Sequence, residues 1–176
     1  MAIHLYQSKK VQRYIGQRVY DDLPWAEDQV DPLTIWYMDI FFNQRERYLV
    51  LANPLTKFTF FIFRYSKKTY PDFMRAFTEK LSDTLRAADI DPTGYLAQCN
   101  FLVPFNKSDK SASAHLSRTK MDYEYMISTR WNEVYAPADE VYYNQMISDN
   151  LVSYDKKDFD RPARRFHHEL ILRRWN

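Results

Sequence analysis

Between Ile35 and Tyr65 the chain passes three times through aromatic and β-branched residues and twice through polar turns. The runs at 35–42, 47–52 and 56–65 are separated by Asn43-Gln44-Arg45-Glu46 and Asn53-Pro54-Leu55. This pattern predicts three consecutive antiparallel strands. Tyr48 to Ala52 holds no charge and does not alternate, so the middle strand is expected to be covered on both faces. Helices, a long loop or a second copy of the chain are the candidate covers.

The remaining pattern is helical. Phe73, Phe77, Leu81 and Leu85 recur every four positions and predict a helix over 71–88, opened by Pro71 and Asp72. Further helices are expected at 9–15 (ended by Gly16), 112–131, 138–149 and from Pro162 onward. In 112–131, Leu116, Tyr123, Ile127 and Met126 are expected inward. In the last helix, Phe166, Leu170 and Ile171 are expected inward and its arginines outward. Ala2–Tyr6 and Phe101–Phe105 read as short strands, the second lying at an edge or ending at Pro104, which lacks a donor. Residues 17–33 read as a loop pinned by Trp25, and 150–160 as irregular. The fold class is therefore α+β: one domain over 1–176, with an antiparallel sheet of four or five strands and four or five helices.

Composition narrows the chemistry. Only two glycines occur, Gly16 and Gly94, which excludes phosphate-cradling and dinucleotide-binding loops. The lone Cys99 cannot form an internal disulfide, and no stretch resembles a signal peptide or a membrane span, so a cytoplasmic protein is expected. His4, His115, His167 and His168 lack metal-ligand spacing, and no metal or other cofactor is expected. Ser108, Ser111 and Ser113 near His115 read as a polar helix cap rather than a nucleophile and base.

Charge is unevenly spread. Lys9, Lys10, Arg13 and Arg18 stand among the first twenty residues without an acid. Arg161, Arg164, Arg165, Arg173 and Arg174 crowd the last helix, and an acidic stretch precedes it. With Trp175 these residues form a candidate nucleic-acid-binding set: Lys9, Lys10, Arg13, Arg161, Arg164, Arg165, Arg173 and Trp175, on the expectation that the two basic ends meet. A smaller set of strand-end polar residues, Asn53, Thr56, Asn106 and His115, with Lys9, is the candidate for a small ligand or an enzyme site.

The order of landmarks resembles a bacterial family known only as a domain of unknown function. The landmarks are the Lys9-Lys10 pair after a short strand, Trp36 in the next, and the turn Asn53-x-x-Thr56. Phe105-Asn106-Lys107-Ser108 then leads into a long helix. The resemblance spans about residues 1–150, and the chain departs from it at Ser111-Ala112-Ser113-Ala114-His115. It implies an α+β fold and no chemistry. The function expected is a non-enzymatic binding or regulatory module, acting through protein contacts such as a homodimer formed by the aromatic sheet. Nucleic-acid binding and small-molecule binding are the alternatives.

Overall fold

The computed structural model describes residues 1–7, 9–16, 19–20, 29–43, 45–99, 101–106, 109–129, 137–155 and 158–175. Trp25, Arg18, Lys107 and Ser108 lie outside them, as do the side chains of Lys9 and Ile127. The three central runs form β2 (Ile35–Asn43), β3 (Glu46–Ala52) and β4 (Thr59–Ile62), an antiparallel meander with Ile40 opposite Leu49 and Leu49 opposite Ile62. β1 (Ala2–Gln7) and β5 (Phe101–Phe105) extend it to five strands in the order β4-β3-β2-β1-β5. Of the two readings of Pro104 the edge holds: β5 is the outer strand and runs on to Phe105, with Tyr20 making a short parallel bridge to Phe105.

The sheet is mixed, not wholly antiparallel. β1 runs parallel to both neighbours, with Leu5 opposite Trp36 and Pro104. The physical reason lies in the connections. A parallel pair needs a long crossover, and both connections out of β1's neighbourhood contain helices. α1 (Lys9–Ile15) follows β1, and α2 (Phe73–Ala87) and α3 (Thr93–Gln98) precede β5.

Strand alternation sends Trp36, Met38, Ile40, Leu49, Leu51, Phe60 and Ile62 to one face. There α2 packs Phe73, Phe77, Leu81 and Leu85, and α6 (Pro162–Arg173) packs Phe166 and Leu170. Trp36 is fully buried, its ring centroid 5.4 Å from Phe60, 5.6 Å from Phe77 and 6.1 Å from Phe166. Tyr37, Phe41, Tyr48, Val50, Phe61 and Phe63 line the other face. α4 (Lys110–Thr129) and α5 (Pro137–Asp149) of the same chain cover it. Tyr123 of α4 sits at the middle of this layer, 4.8 Å from Phe61, 5.3 Å from Phe63 and 5.5 Å from Phe41. Intramolecular helices thus supply the second cover, and the aromatic sheet face is core.

Three local expectations are corrected. Residues 150–160 are not irregular but form a separate hairpin, β6 (Val152–Asp155) with β7 (Asp158–Asp160), whose short alternations Val152-Ser153-Tyr154-Asp155 and Asp158-Phe159-Asp160 are only four and three residues long. Tyr154 donates to the Thr56 carbonyl and stacks under Arg165, 3.7 Å from its guanidinium carbon, so the hairpin is held by the helix that follows it. Ile171 is 48% exposed rather than inward, because one helical step from buried Leu170 turns it about 100° away. β4 starts only at Thr59, because Thr56 and Phe58 are bonded into the preceding turn. α2 begins at Phe73 with Asp72 as its cap, accepting from the Arg75 amide at 3.2 Å.

Candidate functional site

Three of the five C-terminal arginines, Arg164, Arg165 and Arg173, are committed to internal pairs. Arg173 Nε lies 2.7 Å from Asp31 Oδ2, and its Nη1 binds Glu169. Burial opposes the Arg173 charge, but the bonds to Asp31 and Glu169 outweigh it and push its pKa up. Arg164 Nε bonds Asp160 at 2.7 Å, and Arg165 pairs with Asp158 and Asp160. Arg161 is exposed at the start of α6. Trp175 packs its ring 6.1 Å from buried Tyr95, so it docks the chain end onto the core.

The two basic ends do not meet. Arg173 binds Asp31, which precedes β2, whereas Lys10 Nζ donates to the Ile40 carbonyl near β2's far end at 3.3 Å. The ligand set does not converge either. Asn53 is fully buried. Its Nδ2 lies 2.8 Å from the Ile35 carbonyl, and its Oδ1 accepts from Thr56 N at 3.0 Å and Thr56 Oγ1 at 2.9 Å. Asn53 Oδ1 and Thr56 serve their own turn, as Asn and Thr often do, while Asn53 Nδ2 ties that turn to the chain entering β2. Asn106 follows β5, three strand positions from β3, a lateral distance of roughly 14 Å.

His115 of α4 stands 2.9 Å from Thr59 Oγ1. Thr59 Oγ1 already donates to the Lys57 carbonyl at 2.8 Å, so His115 Nε2 carries the hydrogen between them. Burial, then the Lys57 cation, holds its pKa down at about 4. Lys57 Nζ reaches Ser111 Oγ at 3.3 Å. Burial raises the Cys99 thiol to about 11, which leaves it unreactive beside Tyr95.

Another arrangement emerges at the opposite end of the meander. β1 and β2 are parallel, so α1 rises where β2 ends. The β2–β3 turn and the segment after β4 lie at that same end because β2, β3 and β4 alternate in direction. Segments 9–16, 45–47 and 64–70 therefore share one rim. They carry Lys9, Lys10, Arg13, Arg45, Arg47, Arg64, Lys67 and Lys68, against Glu46 alone among acids.

Contacts tie the segments together. The Tyr14 ring lies 5.2 Å from Phe42, and Arg47 lies over Tyr14 at 5.2 Å. Lys10 Nζ is 5.6 Å from the Phe42 centroid. The Tyr65 amide donates to the Arg47 carbonyl at 2.8 Å. Lys67 Nζ lies against Gly16, only 2.2 Å from where a Cβ would stand. Lys10, Arg13, Arg45, Arg64, Lys67 and Lys68 are exposed, and Arg47 is half-buried. Among the described residues, Arg64 is the rim cation with a carboxylate within 4.0 Å, Glu46 at 3.8 Å. That exposed pair is worth about 0–1 kcal/mol.

A family model for a domain of unknown function, DUF6933, matches residues 4–165. The chain belongs to this family. No curated protein and no solved structure matches it. The family match covers all three rim segments. Of the rim residues, Lys9, Lys10 and Arg13 are legible as a basic cluster in the sequence. Arg45, Arg47, Arg64, Lys67 and Lys68 are missed when basic residues are sought only at the chain ends. The usable signal is that the first meander turn and the end of the third strand fall on one side of the sheet, and both are basic.

Proposed function

We propose that this domain is a nucleic-acid-binding module that takes the phosphate backbone along the rim formed by Lys9, Lys10, Arg13, Arg45, Arg47, Arg64, Lys67 and Lys68. The observation that carries the reading is the contrast in pairing. The α6 arginines Arg164, Arg165 and Arg173 are matched to carboxylates, while Lys10, Arg13, Arg45, Lys67 and Lys68 are exposed, Arg47 is half-buried, and none of these six has a carboxylate partner among the described residues. Lys and Arg gathered from three segments, with Glu46 the one acid those segments carry, raise the local positive potential, attract a polyanion and release its counterions on binding. Phe42 and Tyr14 interleave with them, in the manner of surfaces that bind nucleic acid.

Fluorescence anisotropy with a labelled oligonucleotide tests the reading. The triple variant Lys10→Glu/Arg47→Glu/Lys67→Glu should lose binding at least about 100-fold, and the wild-type affinity should fall steeply with salt. The control Arg86→Glu/Arg161→Glu, which reverses the same sort of exposed charge elsewhere, should bind like wild type. Equal loss in both variants, or no binding by the wild type at low salt, would overturn the assignment.

A further inference from the structure

We propose that the rim selects single-stranded nucleic acid, with Phe42 as the platform on which an unpaired base stacks. This rests on the nucleic-acid reading above. Phe42 is 42% exposed, although it is a large apolar ring on a strand whose other aromatics, Trp36, Tyr37 and Phe41, are buried. It sits in the middle of the cations: Arg47 is its cross-strand partner, and Lys10 approaches its ring at 5.6 Å. Its orientation is fixed. Tyr14 meets it edge to face at 65° and is itself overlaid by Arg47.

A surface that reads only duplex phosphates gains nothing from an exposed phenyl ring, because bases inside a duplex already stack on each other. A single strand has free base faces and gains by covering them. Phenylalanine has no donor or acceptor, so the stack would hold any base and the preference would be for strandedness, not sequence. The Lys10 ammonium beside the ring is placed to meet the phosphate next to the stacked base.

The test uses a fluorescein-labelled oligothymidylate of about 15 nucleotides, and a duplex of the same length, on the full chain. Wild type should bind the single strand more tightly. Phe42→Leu, which keeps an apolar residue but removes the π face, should weaken single-strand binding roughly 5- to 100-fold while changing duplex binding by less than about twofold. Phe42→Tyr should restore it. Because Phe42 is half in solvent, circular dichroism should show all three proteins folded. If Phe42→Leu binds both probes as wild type does, or loses both equally, the stacking inference falls while the rim reading stands. If neither probe binds, the rim reading itself falls. Competition by polyglutamate as effective as by the oligonucleotide would assign the rim to an acidic protein and overturn both.

Discussion

Asn144 of α5 hydrogen-bonds the backbone of Phe61 in both directions. Phe61 N–H donates to its Oδ1 at 2.8 Å, and its Nδ2 donates to the Phe61 carbonyl at 3.2 Å. One side chain thus acts as the missing neighbour of the edge strand β4, and Ser148 adds a bond to the Thr59 carbonyl at 3.2 Å. Edge strands otherwise invite pairing with other chains. Asn144→Ala leaves a buried donor and a buried acceptor bare, so it should cost about 2–4 kcal/mol in urea unfolding. Asn144→Asp keeps the bond from Phe61 N–H but sets a carboxylate against its carbonyl, so it should fail to rescue.

Tyr95 is the second buried polar hinge. Trp36 Nε1 donates to its hydroxyl at 3.0 Å, and the hydroxyl donates to the Leu33 carbonyl at 2.9 Å. Tyr95→Phe removes one oxygen and strands two groups. The predicted loss is about 1–3 kcal/mol by urea denaturation. An unchanged midpoint would show that these groups find other partners.

His115 predicts an acid-side loss of stability. Its folded pKa is about 4, below the 6.5 of the unfolded chain. Between those values the unfolded state binds more protons. The contribution is therefore complete above about pH 6.5 and is lost as pH falls towards 4. Protonation would place a cation beside Lys57 and Arg118. Glu140 acts with the opposite sign, since burial raises its pKa despite Lys80. The readout is thus the difference between wild type and His115→Gln. The variant should show a shallower drop in urea midpoint from pH 7 to pH 5, and parallel curves would refute the assignment.

Gly16 closes α1 at φ +67°, the left-handed region. Gly16→Ala should cost about 1–2 kcal/mol in backbone strain, and the new methyl must also push the Lys67 ammonium aside. Gly16→Asn, better suited to that conformation, should cost less in backbone strain. Thermal melts of the two variants, ordered Asn above Ala, check this.

The helices and the meander are legible in the sequence because their patterns are local. Phe73, Phe77, Leu81 and Leu85 repeat at helical spacing, and Asn53-Pro54 marks a turn whatever surrounds it. The placement of β1 is not local. Nothing in Ala2–Gln7 says that it will lie between Trp36 and Pro104, because that depends on which crossovers pack. The candidate site divides the same way. Lys9, Lys10 and Arg13 stand out as neighbours in sequence, whereas Arg47 and Lys67 join them only once strand directions are known. The basic run in α6 misleads because its partners, Asp31 and the acidic hairpin, are brought to it by the fold.

The position of β1 inside the sheet, between β2 and β5, bears on how the chain assembles. Ala2 must find Phe101, and Leu5 must find Trp36, while the meander needs only neighbours. Loop-closure entropy makes such distant pairings slow to form. During synthesis β1, made before either strand it pairs with, would then be among the last fully paired, waiting with one hydrogen-bonding edge open until β5 emerges. Hydrogen-exchange pulse labelling during refolding should find Leu49 and Val50 protected before Ile3 and Leu5; the reverse order would show that the N-terminal strand nucleates the sheet instead of completing it.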